Sequence, residues 1–96
     1  MKRLARLTPR YLRNADRLGV VAGSDRGRAV GRIVAALGDA QGLPGPDDTH
    51  ASVPPTGIAF VRRVPGRNLW LWYTLPSEGV VALVALTADP PVPVDG

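Results

Sequence analysis

The side chains best suited to chemistry in this 96-residue chain are its arginines. Arg10, Arg13, Arg17, Arg28 and Arg32 lie in the N-terminal third, while Arg62, Arg63 and Arg67 lie in the middle, closely followed by Trp70, Trp72 and Tyr73. The planar guanidinium fork matches phosphate oxygens, and aromatic faces stack on unpaired bases, so this combination points to an anionic partner, with RNA as the natural candidate. The alternative is that both tryptophans are core or partner-facing strand residues, because large aromatics mostly supply buried area. His50 stands beside Asp47, Asp48 and Thr49 in a segment rich in proline and glycine. An imidazole there can serve as a general acid or base near neutral pH, although a lone loop histidine is more often solvated.

What is missing narrows the chemistry further. There is no cysteine and one histidine, which excludes disulfides, thiolate metal sites and multi-histidine centres. No phosphate-cradling glycine loop, GxSxG elbow or paired carboxylate motif occurs, so no metal and no cofactor is expected. The run MKRLARLTPR has no apolar stretch long enough for a signal peptide, and none elsewhere approaches the roughly 20 residues that cross a bilayer, so a cytoplasmic protein is expected.

The net charge of +4 is unevenly spread. Residues 1–38 carry nine basic groups against Asp16 and Asp25, residues 39–57 carry −3, residues 58–75 carry +3, and residues 76–96 carry −3. Such clustering suits nucleic acid or an acidic protein, and an arginine-rich coding bias produces the same pattern with a merely solvated surface.

The elements that must position these groups can be read from spacing. KRLARL at residues 2–7 suits an edge strand guarded by its charges. Thr8 and Pro9 are a cap and a first helical residue, opening a helix over Pro9–Leu18 with Tyr11, Leu12, Ala15 and Leu18 on its core stripe and Arg10, Arg13 and Arg17 on a second. Ser24 caps a second helix with Ala29, Val30, Ile33, Val34 and Leu37 inward, closed by Gly38. Gly31, costly inside a helix, suggests close packing. Residues 39–57 read as a long loop interrupted by Pro44, Pro46, Pro54 and Pro55. IAFVRRV, LWLWYTL and VVALVALTA then form a three-stranded meander, with Phe60, Val64, Leu69, Leu71, Tyr73 and Leu75 on one face and Trp70, Trp72 and Thr74 on the other. The last of these runs is apolar on both faces and belongs in the sheet interior. Residues 89–96 form a proline-rich tail, and the whole chain reads as one domain.

The order of these pieces, KRLARL, TPRYLRNADRL, a second helix, a loop and FVRRVPGRNLWLWYTLPSEGVVALVAL, resembles the RelE/ParE superfamily of toxins from type II toxin–antitoxin systems over about residues 2–88. The resemblance implies an α+β domain of order β-α-α-β-β-β, with a helical hairpin packed on one face of a mainly antiparallel four-stranded sheet. It also implies an acidic antitoxin protein as partner, and either RNA cleavage on the ribosome, as in RelE-like members, or non-enzymatic inhibition of DNA gyrase, as in ParE-like members. A catalytically degenerate binding protein of the same fold is the third reading.

On the ribonuclease reading, Arg62 and Arg63 hold the scissile phosphate, Arg67 stabilises charge, His50 joins the same constellation, and Trp70 or Trp72 stacks a base. Arg63 matches one of the family's basic strand positions, and Tyr73 matches its recurrent strand tyrosine. Trp70 stands where the family carries an arginine, and Asp89, Pro90 and Pro91 replace its C-terminal arginine and tyrosine.

Overall fold

The computed structural model describes residues 3–40, 42–46, 48–53 and 57–90. Its elements are β1 (Leu4–Leu7), α1 (Pro9–Arg17), α2 (Asp25–Asp39), β2 (Thr49–Val53), β3 (Gly57–Arg63), β4 (Trp70–Ser77) and β5 (Val80–Thr87). The strands make one five-stranded mixed sheet in the order β1-β5-β4-β3-β2, antiparallel throughout except that β1 runs parallel to β5.

The sheet has five strands where four were expected, because the segment read as loop contains β2, and His50 therefore lies in a strand. Thr49–Val53 is a run free of proline and glycine between the proline-rich flanks. It sits at the edge beside β3 alone, so only one side of it must supply ladder donors, which is where a short strand among prolines is tolerated. Pro76 falls within β4, at a register shift between Thr74 and Ser77, where an irregular ladder removes the need for its missing N–H.

Thr8 anchors the first helix in two ways. Its Oγ1 accepts from the Tyr11 N–H at 3.2 Å as N-cap and donates to the Leu83 carbonyl of β5 at 2.7 Å. Six residues on, Asn14 Oδ1 accepts from the Leu86 N–H at 3.1 Å, so α1 lies along β5 with polar ties near both of its ends. Tyr11 and Ala15 are buried as expected, but Leu12 is 51% exposed. Leu7 and Leu12 occupy the N′ and N4 positions around the Thr8 cap, the spacing of a hydrophobic staple, which explains an apolar side chain on the outer surface.

In α2, Ser24 Oγ accepts from the Gly27 N–H at 2.9 Å and donates to the Val21 carbonyl at 2.7 Å. The helix continues through Gly38 to Asp39 and ends at Ala40 in extended backbone. Gly38 is therefore a close-packing position and not the stop: its Cα faces the Arg3 carbonyl, and a Cβ there would come within 3.3 Å of that oxygen. Gly31 is the opposite case, an exposed position with open space around it and no packing role.

Both helices cover the same face of the sheet. Tyr11, Ala15, Ala29, Val30 and Leu37 meet Val64, Leu69, Leu71, Tyr73, Val81, Leu83 and Leu86 in one buried cluster. Fully burying each of the larger aliphatic side chains contributes roughly 1.5–3 kcal/mol, which makes this cluster the main source of stability. Ala59, Ala82 and Val84, with Trp72 against them, form a smaller apolar cluster on the other face. Among the described residues no helix is long and apolar enough to cross a membrane.

Candidate functional site

Alternation along β3 decides which arginines can act together. Arg62 pairs with Leu71 and shares the helix-covered face with Phe60 and Tyr73, whereas Arg63 pairs with Trp70 and shares the opposite face with Trp72. Adjacent residues of a strand project to opposite faces, so Arg62 and Arg63 leave β3 on different sides, although both border one cleft with Ile33, Pro46 and Pro65.

Arg62 is also committed. Its Nε donates to Asp48 Oδ1 at 2.6 Å and its Nη2 to Asp48 Oδ2 at 2.9 Å, a bidentate pair that joins the segment before β2 to the middle of the sheet. Asp48 Oδ2 further accepts from the Gly45 N–H at 2.7 Å and from the Tyr73 hydroxyl. The Asp48 side chain is fully buried while that of Arg62 is 22% exposed. Burial alone would raise the Asp48 pKa, but the bonds from Arg62, Tyr73 and Gly45 outweigh it and hold the carboxyl below its ordinary value. Tyr73 moves the other way: burial, and then its bond to the Asp48 carboxylate, push the phenol well above its ordinary value. Gly45 leaves room for this pair, since a Cβ there would stand 2.6 Å from Arg62 Nη2 and the guanidinium would have to shift.

His50 pairs with Phe60 across β2 and β3, their rings meeting edge-on at 5.0 Å, and Phe60 in turn lies 5.6 Å from Tyr73. A row of His50, Phe60 and Tyr73 thus crosses the helix side of the sheet, its His50 end exposed and its Tyr73 end buried beside Asp48. Tyr73, expected at the target-binding surface, is instead a core residue whose hydroxyl is occupied, and no base can stack on it.

On the other face the Arg63 guanidinium lies 5.7 Å from the Trp70 ring centroid and Nε donates to the Arg67 carbonyl at 3.1 Å. Trp72 Nε1 donates to Thr87 Oγ1 at 3.0 Å. Both tryptophans are half-buried, so each offers part of its surface. Arg67 belongs to the turn between β3 and β4, closed by Val64 N–H to Leu69 O at 2.8 Å and Arg67 N–H to Val64 O at 3.2 Å. The four residues expected to form a catalytic constellation therefore divide: His50 and Arg62 on the helix side, Arg63 on the other, and Arg67 in the turn.

Arg10, Arg13 and Arg17 are exposed along α1, and Arg28 and Arg32 are exposed on α2. Arg28 bonds Asp25 and donates to the Gly23 carbonyl at 2.6 Å, which places part of its charge on the start of its own helix. Asp48 is the residue that the spacing of the sequence did not single out. The one local sign of it is its place in the sequence three residues after Gly45, a spacing at which a carboxylate can accept a glycine's N–H. Among the described residues no three His, Cys, Asp or Glu side chains come together as a metal site.

What this arrangement supplies is an internally neutralised Asp–Arg–Tyr network under the helices, a cationic helix surface outside, and a Trp–Arg face on the far side of the sheet. Compared with protein-family models, with curated proteins and with solved structures, the chain finds no significant match.

Proposed function

We propose that this chain is a toxin-like module of the RelE/ParE build that arrests growth in the cytoplasm by binding, in the manner of the non-enzymatic ParE-like members, and not by cutting RNA. The observation that carries this reading is the division of the arginines: Arg62 is bound to a buried carboxylate and Arg63 points to the opposite face. A phosphoryl-transfer site needs its charges convergent and preorganised on one reacting group, whereas Arg62 is already neutralised by Asp48 and Arg63 lies over Trp70. Binding requires only a complementary surface, which the exposed row Arg10, Arg13 and Arg17 supplies toward an anionic protein face, DNA gyrase being the target that the resemblance names. An acidic antitoxin would neutralise the same charge.

A second reading rests on Arg63 over Trp70, a basic group beside an aromatic face, which suits an unpaired nucleotide. Induced expression in a bacterial host separates the two, with growth, transcript integrity and DNA supercoiling followed together. The expected outcome is arrest with intact transcripts and altered supercoiling, retained in Arg63→Ala and lost when Arg10, Arg13 and Arg17 are all changed to Glu. Shortened transcripts that disappear in Arg63→Ala would overturn the binding reading in favour of the nuclease.

A further inference from the structure

Away from these groups, a cleft of about 330 Å³ opens where the end of α1, the start of α2, the β3–β4 turn and the end of β5 meet, lined by Leu18, Arg26, Arg67, Asn68, Leu69 and Ala88. We propose that it binds a small organic phosphate monoester, with the phosphate held between Arg26 and Arg67 and the apolar body on Leu18, Leu69 and Ala88.

Arg26 is held in place. Its Nη1 donates to the Leu18 carbonyl at 2.7 Å, so the guanidinium covers an orphan carbonyl at the negative end of α1, and its plane is set before any ligand arrives. Among the described residues no other partner engages this side chain, which leaves Nε and Nη2 for an incoming oxygen. Arg67 comes from a turn that is itself fixed: Gly66 adopts φ +73°, the Arg67 N–H is bonded to Val64, and its carbonyl accepts from Arg63 Nε. Among the described residues the Arg67 side chain forms no ion pair and no carboxylate lines the cleft.

Two guanidinium groups with no acidic counterpart match a dianion better than a monoanion, and phosphate monoesters are largely dianionic above about pH 6. Asn68 adds an amide able to donate to a third oxygen. The volume lies at the small end of the range for ligand clefts, which fits a small molecule and not a polymer. Four elements contribute to the lining, so the cleft exists only in the assembled fold.

The test is an NMR titration of the full ¹⁵N-labelled chain at pH 7.5 with phenyl phosphate, inorganic phosphate and benzoate. We expect saturable shifts of the Arg26, Gly66, Asn68 and Leu69 amides, with phenyl phosphate tightest and inorganic phosphate at about millimolar affinity. Arg67→Ala should weaken phenyl phosphate roughly tenfold, the loss of one charge-assisted contact, and Arg26→Ala similarly, while Arg13→Ala should leave it unchanged. Arg67→Ala does not touch the end of α1, so its folded spectrum keeps the result readable if Arg26→Ala unravels that helix. Shifts that never saturate, that centre on Arg10–Arg17, or that survive Arg67→Ala would overturn the site, and benzoate binding as tightly as phenyl phosphate would overturn the choice of a dianion.

Discussion

Replacing Asp48 by Asn keeps the shape of the side chain and removes its charge, which isolates what the carboxylate does. In the native fold its two oxygens take two bonds from Arg62, one from the Gly45 N–H and one from the Tyr73 hydroxyl. An asparagine can present its oxygen to only one side of that set and must turn its NH₂ toward a donor on the other, so at least one bond is lost and a donor faces a donor. Losing a charge-assisted bond costs about 1.5–3 kcal/mol. Leaving a buried partner charge uncompensated costs roughly 3–5 kcal/mol, but Arg62 is 22% exposed and can regain some water, so about 2–3 kcal/mol is expected in total. At this chain length that corresponds to a fall in Tm on the order of 10–20 °C, measured by thermal unfolding followed by circular dichroism.

The same carboxylate sets an acid dependence. Its folded pKa is depressed below the unfolded value of 3.8, so its contribution is complete above that value and is lost as pH falls toward the folded pKa. Wild-type stability should decline below about pH 4 more steeply than that of Asp48→Asn. Combined with Arg62→Met in a double-mutant cycle, the two changes should be non-additive by about 1–3 kcal/mol. A Tm for Asp48→Asn close to wild type, or strict additivity in the cycle, would refute the buried bidentate pair as the element that holds the Gly45–Asp48 segment to the sheet.

Gly31→Ala should stabilise the chain by about 0.5–1 kcal/mol, read from the urea midpoint, because a methyl there meets open space and removes the entropic cost of glycine in α2. Gly27→Ala should do the reverse and destabilise strongly by the same measurement, since its Cβ would stand 1.9 Å from the Val21 carbonyl oxygen, a backbone atom with little room to yield. Thr8→Ala should cost about 1–2 kcal/mol in thermal unfolding, losing the cap on α1 together with the bond to Leu83 O. Tyr73→Phe should flatten an alkaline loss of stability: the phenol pKa is raised in the fold, so its contribution is complete below the unfolded value of 10.0 and is lost as pH climbs above it.

The parts of this architecture legible in the chain are those written in local chemistry. Thr8-Pro9 and Ser24 announce their helices because a cap is an interaction across three residues, and the two faces of β4 can be assigned from alternation alone. Alternation also separates Arg62 from Arg63, since two neighbours on one strand leave it on opposite faces however close they stand in sequence. β2 is hidden because its signal is five residues long and its neighbours are prolines and glycines. The partnership of Asp48 with Arg62 spans 14 residues and that with Tyr73 spans 25, so it exists only once β2, β3 and β4 are in register. Leu12 misled because an apolar residue at helical spacing is a staple near an N-terminus and a core residue further along.

The pairing of β1 with β5 has a consequence for how the chain comes into being. Leu4–Leu7 is synthesised before α1, α2 and the strands β2 to β4, and its ladder partner, Val80–Thr87, only after them. Thr8 and Asn14 bond to Leu83 and Leu86 of that same late strand. Emergence from the ribosome therefore leaves β1 and α1, with their arginines, without their β5 support until the intervening helices and strands have been translated. Closure of so long a loop is entropically costly and slow, so the packing of β1 and α1 on the sheet becomes cooperative only once β5 is available.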